Sequence, residues 1–234
     1  MAPMSEAGAR GRLVLVAGAT SASGHAVTRA LVEAGARVVA VGHDPDKLAA
    51  VAALGAGVET CDLTDEAAVL ELVDRVHAGP GRVDGVLHLV GGWRGGGGLA
   101  GQTESDFRFL ERSLTALRHV SRAFDDDLRA SDAARTAIVS STAVARPLAG
   151  GANYAAVKAA AEAWLRAVAQ GFAKASRDAG EPLCGAAVIF RVTSLEGREE
   201  ALAEACVGLW DREAAELNDR TIELPGSAEL GATP

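Results

Sequence analysis

Cysteine, lysine and tyrosine are scarce in this 234-residue chain: three, three and one. Cys61, Cys184 and Cys206 are odd in number and far apart. That excludes a complete disulfide framework and the paired spacing of zinc sites, and it fits a reducing cytoplasm. Lysine and arginine total 23 against 31 acidic residues, a net charge of −8. No basic cluster or aromatic platform offsets that balance, so nucleic acid is not an expected partner. No apolar run approaches the roughly 18 residues a membrane span needs, and no grouping of ligand residues suggests a metal. Residues 1–10 lack the apolar centre of a signal peptide and read as a flexible lead-in, ahead of a single domain over 11–234.

What is present is a core. Hydrophobic residues make up 49% and charged residues 23%, typical of a globular protein long enough to bury a sizeable interior. Short β-branched runs alternate with alanine-rich amphipathic stretches. Strands are expected at Leu13–Ala17, Val38–Val41, Val58–Cys61, Val86–Val90, Thr136–Ser140, Ala186–Phe190 and Thr221–Leu224. Helices are expected near 24–35, 46–53, 65–77, 104–130, 152–176 and 199–210, with Thr64 and Thr103 as capping hydroxyls ahead of acids. Such alternation implies βαβ crossovers, and hence an α/β fold with a parallel sheet and helices on both faces. The 152–176 helix is apolar on more than one side, which points to contact with a second copy.

Two segments carry chemistry. Leu13–Ala17 runs into Gly18, Ala19, Thr20, Ser21, Ala22, Ser23 and Gly24, a turn of small residues between strand and helix. Small residues there let backbone N–H groups and the helix N-terminus approach a pyrophosphate. Further on, Tyr154 is followed four residues later by Lys158 and preceded by Ser141 at the end of an apolar run. Positions i and i+4 share a helix face, with Cβ atoms roughly 5–6 Å apart. A phenol and an ammonium are thus held side by side, and a strand-end hydroxyl can be brought up opposite them. That layout serves proton transfer to or from a carbonyl or alcohol oxygen.

The chain resembles the short-chain dehydrogenase/reductase family over essentially its whole length after residue 11. The family's Thr-Gly-x-x-x-Gly-x-Gly is matched by Ala17-Gly18 through Ala22 to Gly24, with Ala22 in place of the middle glycine. Ser141, Tyr154 and Lys158 match its catalytic spacing without a gap. The resemblance implies a Rossmann-type doubly wound sheet of about seven strands in the order 3-2-1-4-5-6-7. It implies that Tyr154 exchanges a proton with the substrate, that Lys158 binds the nicotinamide ribose and eases tyrosinate formation, and that Ser141 bonds the substrate oxygen. Ser113 stands where the family has a helix asparagine. Cofactor contacts fall on Gly18, Thr20, Ser21, Ala22, Ser23, Gly24, His43, Asp62, Leu63, Val90, Gly91, Gly92, Tyr154, Lys158 and Val192. Gly42 replaces the acid that selects NAD and His43 stands where a base receives the 2′-phosphate, so NADPH is the expected cofactor.

His88-Leu89-Val90-Gly91 replaces the family's Asn-Asn-Ala-Gly, and the Pro-Gly after the sixth strand is missing. Val90 through Gly96, Ser113 and Gly185 resemble the dihydropteridine reductase branch, which however lacks the serine retained here as Ser141. The segment Gly91–Gly98 places six glycines around Trp93 and Arg94. It reads as a mobile loop beside the nicotinamide, with Trp93 and Arg94 offered to substrate. Arg191 is either a substrate anchor or an ion-pair partner. Only Thr193–Arg198 separates the sixth strand from the next helix, so the pocket is expected to be open, or completed by the loop, the tail 226–234 or another subunit. The expected activity is carbonyl or quinonoid reduction of a bulky or planar small molecule. A non-redox dehydration, cyclisation or isomerisation by the same Ser/Tyr pair is the second reading. A homodimer or homotetramer through the 104–130 and 152–176 helices is the expected assembly.

Overall fold

The computed structural model describes residues 8–224. Seven strands are formed: β1 (Leu13–Ala17), β2 (Arg37–Gly42), β3 (Gly57–Thr60), β4 (Gly85–His88), β5 (Arg135–Ser141), β6 (Ala186–Val192) and β7 (Arg220–Glu223). Between them lie α1 (Ala22–Glu33), α2 (Pro45–Ala52), α3 (Glu66–Ala78), α4 (Glu104–Ala123), α5 (Asp125–Ala130), α6 (Ala152–Ala179), α7 (Glu199–Val207) and α8 (Ala214–Leu217). All strand pairs are parallel, in the order β3-β2-β1-β4-β5-β6-β7. The alternation implied the parallel sheet with helices on both faces, and the resemblance implied this doubly wound Rossmann-type order.

The strands alternate strictly between two cores, as period-2 side chains must. Val14 and Val16 of β1 face a cluster with Val27 and Leu31 of α1 and with Leu202 and Cys206 of α7. Leu13, Leu15 and Ala17 face the opposite cluster, with Leu72 of α3, Leu117 of α4 and Leu165 of α6. Because both faces are covered, the central strands are unbroken apolar runs instead of apolar–polar alternations. Strand order reverses between β1 and β4, so a crevice opens at their C-terminal ends, where α/β sheets bind ligands.

Several expectations are amended. The 104–130 helix is two helices, broken at the buried Phe124. The break lets Asp127 turn inward to accept from the Val83 N–H at 3.0 Å and to bind His77 and Arg82. The cap of α3 is Asp65, accepting from the N–H groups of Ala67 and Ala68, and not Thr64, whose hydroxyl donates to Asp62. The end of the 199–210 stretch is a 3₁₀ turn, Gly208–Asp211. The expected lead-in lies mostly outside the described residues, but Ala9 is buried in the core and belongs to the domain. The 226–234 tail lies wholly outside them. No described helix is long and apolar enough to cross a membrane.

Candidate active site

The glycine turn after β1 is shaped by what it cannot accommodate. Gly18 has φ +86°, and a Cβ there would lie 2.9 Å from the carbonyl carbon of Leu89 and the nitrogen of Val90. A Cβ on Gly24 would meet the Gly18 carbonyl oxygen at 2.5 Å. Only glycine fits either position, and the close approach seats the start of α1 against the turn. Ser21 caps α1: its hydroxyl accepts from the Gly24 N–H and donates to the Gly18 carbonyl, both at 3.0 Å. Ala22 opens the helix, and Asp219 is the sole described non-glycine residue with positive φ. Alanine thus costs no backbone strain where the family has its middle glycine. The first turn of α1 carries no acid, which leaves its positive end open to an anion.

Two cavities flank the C-terminal edge of the sheet and share Ser21, Leu89, Val90, Gly91 and Gly92. The smaller, about 460 Å³, is lined by Gly18, Thr20, Gly42, His43, Asp62, Leu63, Arg112 and Ser113, among others. It fits the adenosine end of a dinucleotide. A Cβ on Gly42 would lie 2.9 Å from the Thr20 methyl, so Thr20 fills the space an acidic side chain would need. Asp62 accepts from the Thr64 N–H at 2.9 Å and its hydroxyl at 2.6 Å. These two bonds, helped by the nearby Arg112 and His43, hold its carboxyl below the usual aspartate range.

The larger cavity, about 990 Å³, is lined by Ser21, Ala22 and Ser23 from the turn and by Ser141, Tyr154, Lys158 and Val192. The turn after β1 and the Ser141, Tyr154 and Lys158 side chains therefore border one space. Ser141, ending β5, accepts from the Ala143 N–H at 3.1 Å, which leaves its own O–H free to donate. Its hydroxyl stands near enough to Tyr154 to favour the phenolate, yet burial outweighs this and pushes the phenol above its ordinary value. Lys158 donates from Nζ to the Val139 carbonyl at 2.8 Å and stands 5.7 Å from the centroid of the Tyr154 ring. Burial lowers it to about 8, opposed by the Glu162 carboxylate. The expected acidification of Tyr154 by its lysine is thus not seen in the protein alone. Desolvation favours the neutral phenol.

Other expected residues are placed differently. The Ser113 hydroxyl donates back to the Leu110 carbonyl at 2.8 Å, so it is the Ser113 carbonyl that faces inward, bonded to His88 Nε2 at 3.0 Å. Arg191 binds Glu162 through Nε at 2.9 Å and Nη2 at 2.6 Å, an ion-pair partner and not part of either cavity wall. Arg94 also lies outside both walls. It stacks 4.1 Å from the centroid of Phe109 and donates to the Trp93 carbonyl. Trp93, 61% exposed, does line the larger cavity, together with Leu148, 77% exposed. Arg146, Leu148, Leu195, Glu196 and Glu199 line it too, and nothing in their local sequence marks them.

The glycine segment is tied in place. Gln102 Nε2 donates to the carbonyls of Gly96, Gly98 and Gly150, and its Oε1 accepts from the Asn153 N–H. Among the described residues, no group of three or more His, Cys, Asp or Glu is arranged to hold a metal.

The short chain dehydrogenase family matches residues 12–176, well over half the chain. The chain belongs to that family. It is 29% identical over 164 residues to the 2,3-dihydro-2,3-dihydroxybenzoate dehydrogenase of Bacillus subtilis (strain 168). That match covers 68% of this chain and 63% of the Bacillus protein. Among solved structures, a metagenomic short-chain oxidoreductase in complex with NADP superposes with a TM-score of 0.78 at 24% identity, covering 94% of this chain and 99% of that one. An NADPH-bound short-chain oxidoreductase from Pseudomonas aeruginosa PAO1, containing an atypical catalytic center, gives 0.79 at 20% identity, covering 94% and 98%. At these identities the structural likeness is one of fold. By family the chain is a short-chain dehydrogenase, and by architecture it is Rossmann-type.

Proposed function

We propose that the protein reduces a carbonyl or quinonoid group of a fairly bulky or planar small molecule with NADPH. The observation that carries this reading is the single cavity bordered both by the glycine turn capping α1 and by Ser141, Tyr154 and Lys158. NADPH, when bound, supplies the hydride. Ser141 donates its free O–H to the substrate oxygen and orients it. Tyr154 gives that oxygen a proton as the carbon gains the hydride, so C=O becomes CH–OH. A phenol kept protonated by burial suits the donor role. Lys158 stands beside the ring as the positive charge that stabilises the tyrosinate left behind.

The adenosine end supports NADPH over NADH. No carboxylate stands at position 42 to repel a 2′-phosphate, Thr20 blocks one from entering, and His43 is exposed at the rim. The bare rim formed by Trp93 and Leu148 suits a flat apolar ring. The protein from Bacillus subtilis is named for a ring substrate, which supports the same class. Pairing of copies through α4 and α6 belongs to this proposal, supported by the exposed Ala156, Ala159, Ala160 and Ala163 along α6. Sedimentation velocity measures it directly.

The test mixes the protein with NADPH or NADH and a panel of planar ketones and quinones, following the near-ultraviolet absorbance of the reduced nicotinamide. NADPH should be oxidised faster than NADH. Tyr154→Phe should lose about 10²–10⁴ in kcat while still binding NADPH. Turnover undiminished in Tyr154→Phe, or no oxidation across the panel, would sink the reading.

A further inference from the structure

His88 ends β4 and is 5% exposed. Its Nε2 lies 3.0 Å from the Ser113 carbonyl. A carbonyl only accepts, so Nε2 carries the hydrogen. A neutral imidazole has one N–H, which leaves Nδ1 a bare acceptor. That atom is buried and has no partner among the described residues. An unsatisfied buried acceptor is costly, yet the native fold keeps this lone pair in its interior.

A donor that one water can join to it is close at hand. His88 sits opposite Ile138 across the sheet, and the next residue, Val139, offers the carbonyl that holds Lys158 Nζ at 2.8 Å. Three residues past His88, a Cβ on Gly91 would come within 3.6 Å of the same ammonium. Lys158 has three N–H donors and uses one on Val139. Its charge is felt at the imidazole, which burial in the first place, and then Lys158, hold neutral down to about pH 3.

We infer that His88 is a positioning residue. The Ser113 carbonyl fixes its Nε2–H tautomer, and its bare Nδ1 accepts a hydrogen bond from a water that in turn accepts from the Lys158 ammonium. This bridge supports the charged lysine beside Tyr154. The inference rests on the proposed role of Lys158 in the reduction. Among the described residues, the other groups facing Lys158 are Tyr154 and Glu162 on its own helix, the latter bound to Arg191 of β6, and the neutral Val139 carbonyl and Ser141 hydroxyl from β5.

The experiment compares the full chain with His88→Leu and His88→Asn. Three lysines make the titration of isotopically labelled lysine side chains readable by NMR, with Lys47 and Lys174 as exposed internal standards. Losing the acceptor in His88→Leu should lower the Lys158 midpoint by about one pH unit, tenfold in its proton affinity. The alkaline limb of kcat/KM should move down with it, and Lys47 and Lys174 should not shift. His88→Asn, whose amide can donate to Ser113 and accept from the bridging water, should restore both. Nitrogen NMR of the wild-type imidazole should show hydrogen on Nε2. An unchanged Lys158 midpoint in a folded His88→Leu protein, or hydrogen on Nδ1, overturns the inference. If His88→Leu does not fold, the imidazole spectrum and a Lys158 midpoint in His88→Asn near the wild-type value decide it; a lowered one would count against it. The titrations need neither cofactor nor substrate, so failure of the reductase reading would show separately in the activity assay.

Discussion

Burial acts in the same sense on Tyr154 and Lys158, favouring the uncharged form of each. It raises the phenol and lowers the ammonium to about 8. For reduction the two consequences differ. Tyr154 remains a proton donor throughout the neutral range, whereas Lys158 carries its charge only below about pH 8. The kcat/KM for reduction, which reports groups of the free enzyme, should therefore be level near neutrality and fall as pH rises through about 8. Lys158→Met should lack that limb and run at least about tenfold slower, checked by pH–rate profiles of both proteins. The Tyr-x-x-x-Lys spacing made this pair legible in the sequence, because helix geometry alone puts i and i+4 together. The sense of the Tyr154 shift was not legible, since it depends on walls supplied by distant segments.

At the scale of elements, the glycine segment 91–98 shows how one side chain can organise a loop. A run of six glycines around Trp93 and Arg94 suggests mobility, yet Gln102 ties it to Gly150 and to the start of α6, and the Gly96 N–H donates to the Gly150 carbonyl at 2.7 Å. Gln102→Ala should release the segment carrying Trp93. We expect faster hydrogen exchange at the Gly96 amide, a substrate KM raised about 3- to 10-fold, and a stability loss of about 1–2 kcal/mol, with kcat changed less than KM. A second clamp joins β6 to α6, where the buried Glu162 accepts from Ser140 and both arms of Arg191. The strands and helices were readable from periodicity and the start of α4 from its cap. Neither clamp was, because Gln102 and Glu162 find partners 48 and 29 residues away.

For the molecule as a whole, the end of the sheet opposite the site is held by an interior cation. Arg135, at the start of β5 and 4% exposed, donates to the carbonyls of Ala134, Cys184, Leu209 and Arg212. It gathers the approach to β6 and the chain after α7 onto one point. Trp210 is packed there against Gly85, where a Cβ would fall 2.6 Å from its ring. Arg135→Met would orphan these carbonyls while removing a buried charge, and should destabilise by about 2–4 kcal/mol. In a domain of this size that lowers Tm by roughly 2–4 °C per kcal/mol, readable by circular dichroism. Tyr154→Phe should leave Tm nearly unchanged, so the two effects separate.

The sequence by itself determined the strand–helix alternation, the glycine turn, and the Ser141, Tyr154 and Lys158 spacing, because each depends on residues only a few positions apart or on a periodic face. Resemblance then supplied the strand order. Only the tertiary structure decided that Ser113 contributes its carbonyl, that Arg191 belongs to Glu162, that Arg94 turns to Phe109, and that Leu148 and Trp93 rim the same cavity. It alone left the buried His88 Nδ1 unpaired. These are matters of which polar atom finds which partner in a water-poor interior, and packing settles them between segments far apart along the chain.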